Sequence, residues 1–437
     1  MNDQDHNLNP PTDVSNYFQK NYRHNFLVNM ADGGFFWFGY SFITPSTILP
    51  LFASHFTNNP IIIGLIPFIS SLGFLSPQLF TSNWVSRSPL KKYFPVRIGL
   101  YSERLPLLLL GPVIYLLKDS PPAIILAAFL LIICWNAFGA GLIAVGWQDM
   151  IAKVIPAQKR GFFFGATNFI GTAAGIIGAV CVSWFLKNLS FPNGYIISFS
   201  LAGLLIFLSW LAISLTREHP DNHSIEKISQ LDYFKKLPLL LKKDQNFRWF
   251  LVSLIFIAMS GLATGFLVVY MSQRWNIPDQ FGGNLTAALL IGQSLANLFW
   301  GRIADRKGNK FVYELSILSG AISIGLAYLA NNPYLFYAVF ALRGINLAGN
   351  FIAGTNLPME FSSADLRPTY IGLSNTIAGI AGGLSPLLGG WLALWVGYRG
   401  LFILAFLFSV IAYFSLKCFV QDPRFTIEQS NRQTISR

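Results

Sequence analysis

Charged residues are scarce in this sequence. Asp, Glu, Lys and Arg make up 11% of its 437 residues, whereas soluble proteins carry about 25%. Apolar residues make up 53%, with 40 phenylalanines and a mean hydropathy of +0.49. This composition excludes an ordinary soluble domain and indicates that lipid is the solvent for most of the chain.

Cysteine and histidine are also few, at three and five residues. Cys134, Cys181 and Cys418 lie in apolar runs without CxxC spacing, which predicts buried, inert thiols. The histidines lie in tails, loops or at the margins of apolar runs and form no HxxxD or HExxH motif. The pattern predicts no metal site and no cofactor, and it leaves a membrane-integral enzyme without the residues it needs.

Long apolar runs, in contrast, are abundant. Twelve runs reach the roughly 20 residues that a membrane-crossing helix needs and exceed the ~9–11 residues of a barrel strand. They lie near 25–54, 60–82, 97–118, 121–150, 161–188, 195–216, 248–274, 281–303, 311–331, 334–358, 369–396 and 399–420. Because a backbone in lipid must satisfy its own hydrogen bonds, we predict an all-α integral membrane protein with twelve transmembrane helices. The polar first 24 residues show no pattern of a cleaved signal, so the first helix is expected to act as an uncleaved one.

The net charge is +12, and its placement is uneven. Connections are numbered by the apolar run that they follow. Four basic residues fall in odd-numbered connections: Lys118, Lys187, Arg274 and Arg399. Arg343 falls inside an apolar run, and the other basic residues lie in the tails, in even-numbered connections or at the adjoining helix ends. This positive-inside pattern predicts a multi-pass protein of the cell (inner or plasma) membrane with both termini in the cytoplasm. It argues against a nucleic-acid partner, because no basic soluble domain is present.

A basic stretch divides the chain into halves of six helices. The predicted units are a cytoplasmic tail (1–24), a six-helix bundle (25–216), a cytoplasmic linker (217–247), a second six-helix bundle (248–420) and a second cytoplasmic tail (421–437). Two internal repeats support this division: Arg160, Gly165, Asn168 and Gly175 match Arg367, Gly372, Asn375 and Gly382, and Gly73, Phe80 and Arg87 match Gly292, Phe299 and Arg306. Two pseudo-symmetric bundles are typical of transporters that bind substrate between their halves. The linker either rests on membrane lipids or is a solvated connection.

The segment GRIADRKGNK, residues 301–310, concentrates charge after the eighth run. It resembles the loop motif of the major facilitator superfamily (MFS), G-x-x-x-D-[RK]-x-G-[RK]-[RK], which Gly301, Asp305, Arg306, Gly308 and Lys310 fit and from which Asn309 departs. The resemblance covers roughly residues 25–420. It implies two six-helix bundles that rock about a central site by alternating access, in a monomer. Gly301 is expected to allow close helix packing, and Asp305 to form salt bridges that latch one state.

Two positions depart from the family pattern. In the first half, Arg87 is kept, but Ser86 stands where the motif has its Asp, so the gating role is expected to rest on the second half. In the fourth helix, many proton-linked members of the family that this chain resembles carry an Arg where this sequence has Asn136. The corresponding position of the other half is Arg343, so the buried cation is expected in the tenth helix.

Ionisable and amide side chains inside apolar runs are candidates for binding substrate or a coupling ion, because they are costly in lipid. Arg343, Asn346 and Asn350 share one face of the tenth helix, and Asp32 lies in the first. Gln293 and Asn297 share a face of the eighth helix, and Ser253, Ser260 and Thr264 form a weaker stripe in the seventh. Each set has a structural alternative: helix pairing for the amides and Arg343, a loop contact for Asp32, and bonds to their own helix for the hydroxyls.

Charged residues at the cytoplasmic helix ends are predicted to form an inner gate. They are Glu103, Arg104, Asp149, Arg160, Glu360 and Arg367. The alternative is loop anchoring at a wet surface, where an exposed ion pair contributes only ~0–1 kcal/mol.

The predicted function is a secondary active transporter for a small organic solute. No GxxxxGK[ST] nucleotide motif is present, so either an ion or solute gradient supplies the energy or transport is facilitated diffusion. Protons acting through Asp32 are the favoured coupling ion. The alternative is a non-transporting sensor or partner-binding protein on the same fold. The sequence does not specify the substrate or its direction.

Overall fold

The computed structural model describes residues 12–220, 241, 244–361 and 367–423. Regular structure in this part of the chain is entirely helical. The helices are α1 (Thr12–Ser41), α2 (Pro60–Arg87), α3 (Phe94–Leu117), α4 (Pro122–Val154), α5 (Ala157–Asn188), α6 (Asn193–Ser214), α7 (Gln245–Trp275), α8 (Gln280–Lys307), α9 (Asn309–Leu329), α10 (Leu335–Glu360), and α11 and α12, which together span Arg367–Phe414. A bend at Gly397, where φ is +68°, separates α11 from α12.

The prediction of twelve helices is confirmed. Nine segments of the described chain are long and apolar enough to cross a membrane, and one of them, Leu373–Phe419, contains both α11 and α12. The more polar α1 and α8 complete the set of twelve. Cys418 is exposed, so the expectation of a buried thiol is wrong there; Cys134 and Cys181 are half-buried. Most of the predicted linker, including 230–240, lies outside the described residues.

The first helix of each half is broken at the same place. α1 ends at Ser41 and a short helix, Ile48–Ser54, continues its path; α7 is interrupted by a 3₁₀ turn, Ser260–Ala263. The hydroxyls of Ser41 and Ser260 each donate to a carbonyl oxygen three residues earlier, at 2.6 Å in both cases. These two serines are related by the same offset as Gly73 and Gly292, which extends the internal repeat into the three-dimensional structure.

Glycines allow equivalent helices of the two halves to cross closely. A Cβ atom added to Gly73 of α2 would lie 2.7 Å from the Cβ of Ala137 in α4. One added to Gly292 of α8 would lie 2.9 Å from the Cα of Ala341 in α10. Both distances are too short for a side chain, so the α2–α4 and α8–α10 crossings are matching contacts of the pseudo-symmetric layout.

Among the described residues, a buried apolar cluster shared by both halves lies at one end of the molecule. We call the end with connections 55–59, 189–192 and 276–279 the far end, and the end with 88–93, 155–156 and Gly308 the basic end. At the far end, one buried cluster includes both Phe52 of the first half and Phe266 of the second. At the basic end, the described cores separate into one cluster per half. In the described part of the chain, the two halves therefore share a buried core at the far end and have separate buried cores at the basic end.

Candidate functional site

A polar cluster lies inside the second half, around Arg343 of α10. The Arg343 side chain is buried, with the residue 9% exposed. Its Nη1 donates to Asn346 Oδ1 at 3.0 Å, and its Nη2 donates to Thr264 Oγ1 at 2.5 Å. Thr264 directly follows the 3₁₀ turn that breaks α7. Arg343 thus connects α10 to the break in α7.

The same cluster continues along α10 toward the basic end. Asn346 Nδ2 donates to the carbonyl oxygen of Ser316 in α9 at 2.7 Å, and Ser316 Oγ donates to Asn350 Oδ1 at 2.8 Å. The three residues predicted to share one face of α10 are therefore brought together in one network. Among the described residues, Arg343 forms no ion pair, and its buried Nε has no hydrogen-bond partner.

The α8 candidates are placed differently from each other. Gln293 is half-buried, and its backbone nitrogen would lie 2.7 Å from a Cβ added to Gly344. Because Gly344 follows Arg343, Gln293 is adjacent to the Arg343 segment. Asn297, one turn further along, is exposed. Their proposed contacts with a substrate stay predictions.

A second buried cluster lies inside the first half, around Asp32 of α1. Ser209 Oγ of α6 donates to Asp32 Oδ1 at 2.6 Å, and Arg104 Nη2 of α3 lies 4.0 Å from the same oxygen. Arg104 also pairs with Glu103, and its guanidinium lies over the ring of Phe36 at 5.4 Å. All three charged residues are at most 5% exposed. Asp32 is therefore paired inside the bundle, and its partners among the described residues include neither a loop residue nor Arg343.

The expectation that Glu103 and Arg104 belong to a cytoplasmic network is wrong. Residues Leu100–Arg104 form a π-helical turn, which turns both side chains into the first half. Asn136 of α4 contacts this turn, since its Nδ2 donates to the carbonyl oxygen of Glu103 at 2.9 Å. Asn136 thus supports the turn that holds Arg104 beside Asp32.

Two ion pairs at the basic end, those of Glu218 and Asp149, lie within the first half. Glu218, which follows α6, pairs with Lys153 Nζ of α4 at 2.9 Å and accepts from the backbone nitrogens of Lys91 and Lys92 at 2.9 and 2.7 Å. Asp149, a predicted gate residue, is about half exposed and lies 3.8 Å from Lys91 Nζ. Burial lowers the pKa of Lys92, and the Glu218 carboxylate partly opposes this shift. Sequence analysis missed Glu218 because it stands at the junction of a helix and the basic linker.

The loop after α8 holds together helices of the second half. Gly308 adopts φ of +99°, a conformation that favours glycine, and connects α8 to α9. Asn309, the residue that departs from the family motif, donates to Glu360 Oε1 of α10 at 2.6 Å. Lys310 pairs with Glu314 at 3.3 Å. One partner of Glu360 therefore lies within its own half.

Gly301 does not pack closely against another helix of the described chain, contrary to the expectation. Among the described residues, an added Cβ would meet no atom within 4 Å. Arg306 of the same motif is exposed. The side chains of four other predicted gate or motif residues lie outside the described part: Asp305, Arg87, Arg160 and Arg367.

Polar contacts at the far end join the two halves, and sequence analysis missed them. Thr47 Oγ1 and Thr286 Oγ1 are hydrogen-bonded at 2.6 Å. Asp279 Oδ2 lies 2.6 Å from His55 Nε2 and accepts from the Tyr195 hydroxyl at 2.9 Å. Because these residues lie at helix margins far apart in sequence, no periodic pattern marks them. We call this set of five residues the far-end contacts.

Two six-helix halves, each with a buried polar cluster and a broken first helix, define the class of secondary transporters built from repeats. Among the described residues, no group of three His, Cys, Asp or Glu is placed to hold a metal ion. The chain belongs to the Major Facilitator Superfamily, whose family model matches residues 32–274 and 249–435. The resemblance seen in the loop motif is thereby confirmed, and the protein is an integral, multi-pass membrane transporter.

Individual relatives show the same class. An uncharacterized MFS-type transporter of Methanocaldococcus jannaschii is 27% identical over 361 residues, covering 79% of this chain and 83% of that protein. The multidrug resistance protein MdtG of Dickeya zeae is 29% identical over 188 residues, 41% of this chain and 45% of MdtG. The crystal structure of a D-xylose-proton symporter superposes with a TM-score of 0.69 at 13% identity, covering 91% of this chain and 98% of the symporter.

Proposed function

We propose that this protein moves a small organic solute across the cell membrane by alternating access, in a cycle coupled to protons, with both termini in the cytoplasm. The Asp32 cluster carries the proposal of proton coupling. Two buried carboxylates, Asp32 and Glu103, surround one guanidinium, Arg104. If both are ionised the cluster has one excess negative charge in a low-dielectric bundle, and one bound proton would neutralise it.

The distribution of contacts supports alternating access. The far-end contacts and the shared apolar core hold the halves together at one end, while the cores are separate at the basic end. The positive-inside pattern supports a cytoplasmic location for the basic end. On that orientation, the contacts of the described residues support an inward-open state, and an outward-open state requires the far-end contacts to break. The fold shared with a D-xylose-proton symporter supports protons as the coupling ion.

Proton movement provides a test that can be run before the substrate is identified. The purified full-length protein is reconstituted into liposomes with a pH-sensitive dye inside, and gluconate, D-xylose and uridine are added in turn as probes. We expect at least one probe to change the internal pH relative to protein-free liposomes. Asp32→Asn should abolish that change, because the amide cannot bind a proton reversibly.

Asp119→Asn is the matched control, since Asp119 is exposed in the connection between α3 and α4 and should leave the proton signal unchanged. Full proton movement in Asp32→Asn would contradict the coupling role of Asp32. If no probe changes the internal pH of liposomes that contain the wild-type protein, the result would favour the non-transporting sensor.

Locking the far end is expected to stop transport reversibly. Thr47→Cys and Thr286→Cys, combined after replacement of the three native cysteines, should form a disulfide on oxidation, because the native hydroxyls are 2.6 Å apart. We expect oxidation to reduce the proton signal at least about tenfold and reduction to restore it, since the outward-open state becomes inaccessible. Thr47→Cys alone should not respond to oxidant. Undiminished transport by the cross-linked protein would exclude opening at this end.

A further inference from the structure

We infer that the transported solute is a small organic anion and that its carboxylate binds Arg343. This inference deepens the proposed transport function and rests on it. The starting observation is an uncompensated charge: Arg343 is buried in the second half, and no carboxylate among the described residues pairs with it. The buried Arg104 of the first half, in contrast, has both Asp32 and Glu103 beside it.

The hydrogen-bond inventory of Arg343 leaves room for a bound anion. A guanidinium has five N–H donors and no acceptor. Asn346 and Thr264 each accept one hydrogen bond, and Nε has no partner among the described residues. Three N–H donors are therefore left over, which suits the two oxygens of a carboxylate, because a guanidinium and a carboxylate match in a bidentate pair. A neutral polyol would leave the charge uncompensated.

The position of Arg343 links this site to the motion of the halves. Its partner Thr264 is followed by Gly265, where an added Cβ would lie 3.4 Å from Pro67 of α2, a helix of the other half. An anion bound to the remaining donors of the guanidinium would therefore lie beside the break in α7, near the point where that helix meets the first half. Binding at Arg343 can thus alter the contact between the halves without a further relay.

Charge balance connects the anion to the proton. One proton bound at the Asp32 cluster and one carboxylate bound at Arg343 together add no net charge to the membrane interior. Each charge has its own compensating group in a separate half. The arrangement predicts that a monovalent anion moves together with one proton, because both buried clusters are then neutral while the protein changes state.

Thermal unfolding of the detergent-purified full-length protein tests this inference. Matched pairs of a carboxylate and its neutral amide serve as probes: lactate and lactamide, succinate and succinamide, benzoate and benzamide. A ligand that binds only the folded protein raises the unfolding midpoint. We expect at least one carboxylate to raise the midpoint and its amide to leave it unchanged. Arg343→Gln should weaken the carboxylate affinity by roughly 10–100-fold. Arg399→Gln, which removes an exposed arginine from the same half, should have no effect.

Asn346→Asp gives a second test that does not depend on losing Arg343. The new carboxylate would replace the amide oxygen that lies 3.0 Å from Arg343 Nη1. It would therefore compete with an added carboxylate for the guanidinium. We expect this variant to unfold at a higher temperature without ligand and to lose the response to the carboxylate. An undiminished response of Asn346→Asp or Arg343→Gln, an equal response to the amide, or no response to any carboxylate would each overturn the inference.

The outcome separates this inference from the proposed function. A carboxylate response that requires Arg343, in a protein that moves no protons, would leave the anion site standing and reject proton coupling. Proton movement driven by D-xylose or uridine, with no carboxylate response, would keep the transport function and reject the anion site. Asp32→Asn should keep the carboxylate response, because Asp32 lies in the other half and does not contact Arg343.

Discussion

Arg104→Met is expected to destabilise the protein more than any other single charge removal in the described part of the chain. Methionine fills a similar volume but leaves Asp32 and Glu103 buried, at 5% and 4% exposure, with no cation beside them. Removing one partner of a buried ion pair typically costs about 3–5 kcal/mol, because the remaining charge is uncompensated. The midpoint of thermal unfolding in detergent and the yield of monodisperse protein measure the effect.

Two comparisons show whether the charge is responsible. Arg97→Met, which removes an exposed arginine from the same helix, should change the midpoint little. Adding Asp32→Asn and Glu103→Gln to Arg104→Met should recover most of the lost stability, since the triple variant has no buried charge in this cluster. A single variant as stable as the wild type would mean that Arg104 does not compensate the two carboxylates.

Gly344→Val is the second prediction with a large expected effect. A Cβ at Gly344 of α10 would collide with the carbonyl oxygen of Leu289 and lie 2.7 Å from the nitrogen of Gln293, both in the backbone of α8. Side-chain rotation cannot relieve a contact with backbone, so α8 and α10 would have to separate. Overpacking in well-packed cores costs about 1–3 kcal/mol and occasionally more, and we expect a value at the upper end. The readouts are the unfolding midpoint and the fraction of monodisperse protein.

Gly382→Val provides the matched control for this steric effect. Gly382 lies in α11, and an added Cβ there would meet no atom of the described residues within 4 Å. Both variants introduce the same β-branched residue into a membrane helix of the second half, so the difference between them isolates the collision. Equal stability of the two variants would show that the α8–α10 crossing is less tight than the structure indicates.

The helices could be predicted from sequence because the signal is local. Each membrane crossing needs a run of apolar residues of known length, and all twelve runs are helices in the structure. The breaks in α1 and α7 could not be predicted in this way. Residues 260–265, SGLATG, keep the apolar composition of a continuous helix, and the interruption becomes visible only in the backbone path.

The polar clusters were predictable only where one helix carries the pattern. Arg343, Asn346 and Asn350 share a helical face, and the structure joins them in one network. Glu103 and Arg104 were misplaced because α-helical periodicity does not foresee the π turn at Leu100–Arg104. The far-end contacts and Glu218 were missed because their partners are distant in sequence and belong to no motif.

Accumulation of a solute against its gradient tests the central claim most directly. The probe is the carboxylate that raises the unfolding midpoint most, in radiolabelled form, offered to liposomes containing the wild-type protein under an imposed pH gradient. We predict that the internal concentration rises above the external one and that a protonophore abolishes this accumulation. Uptake indistinguishable from that of protein-free liposomes, in a protein that binds the same carboxylate, would contradict proton-coupled transport and indicate a sensor on this fold.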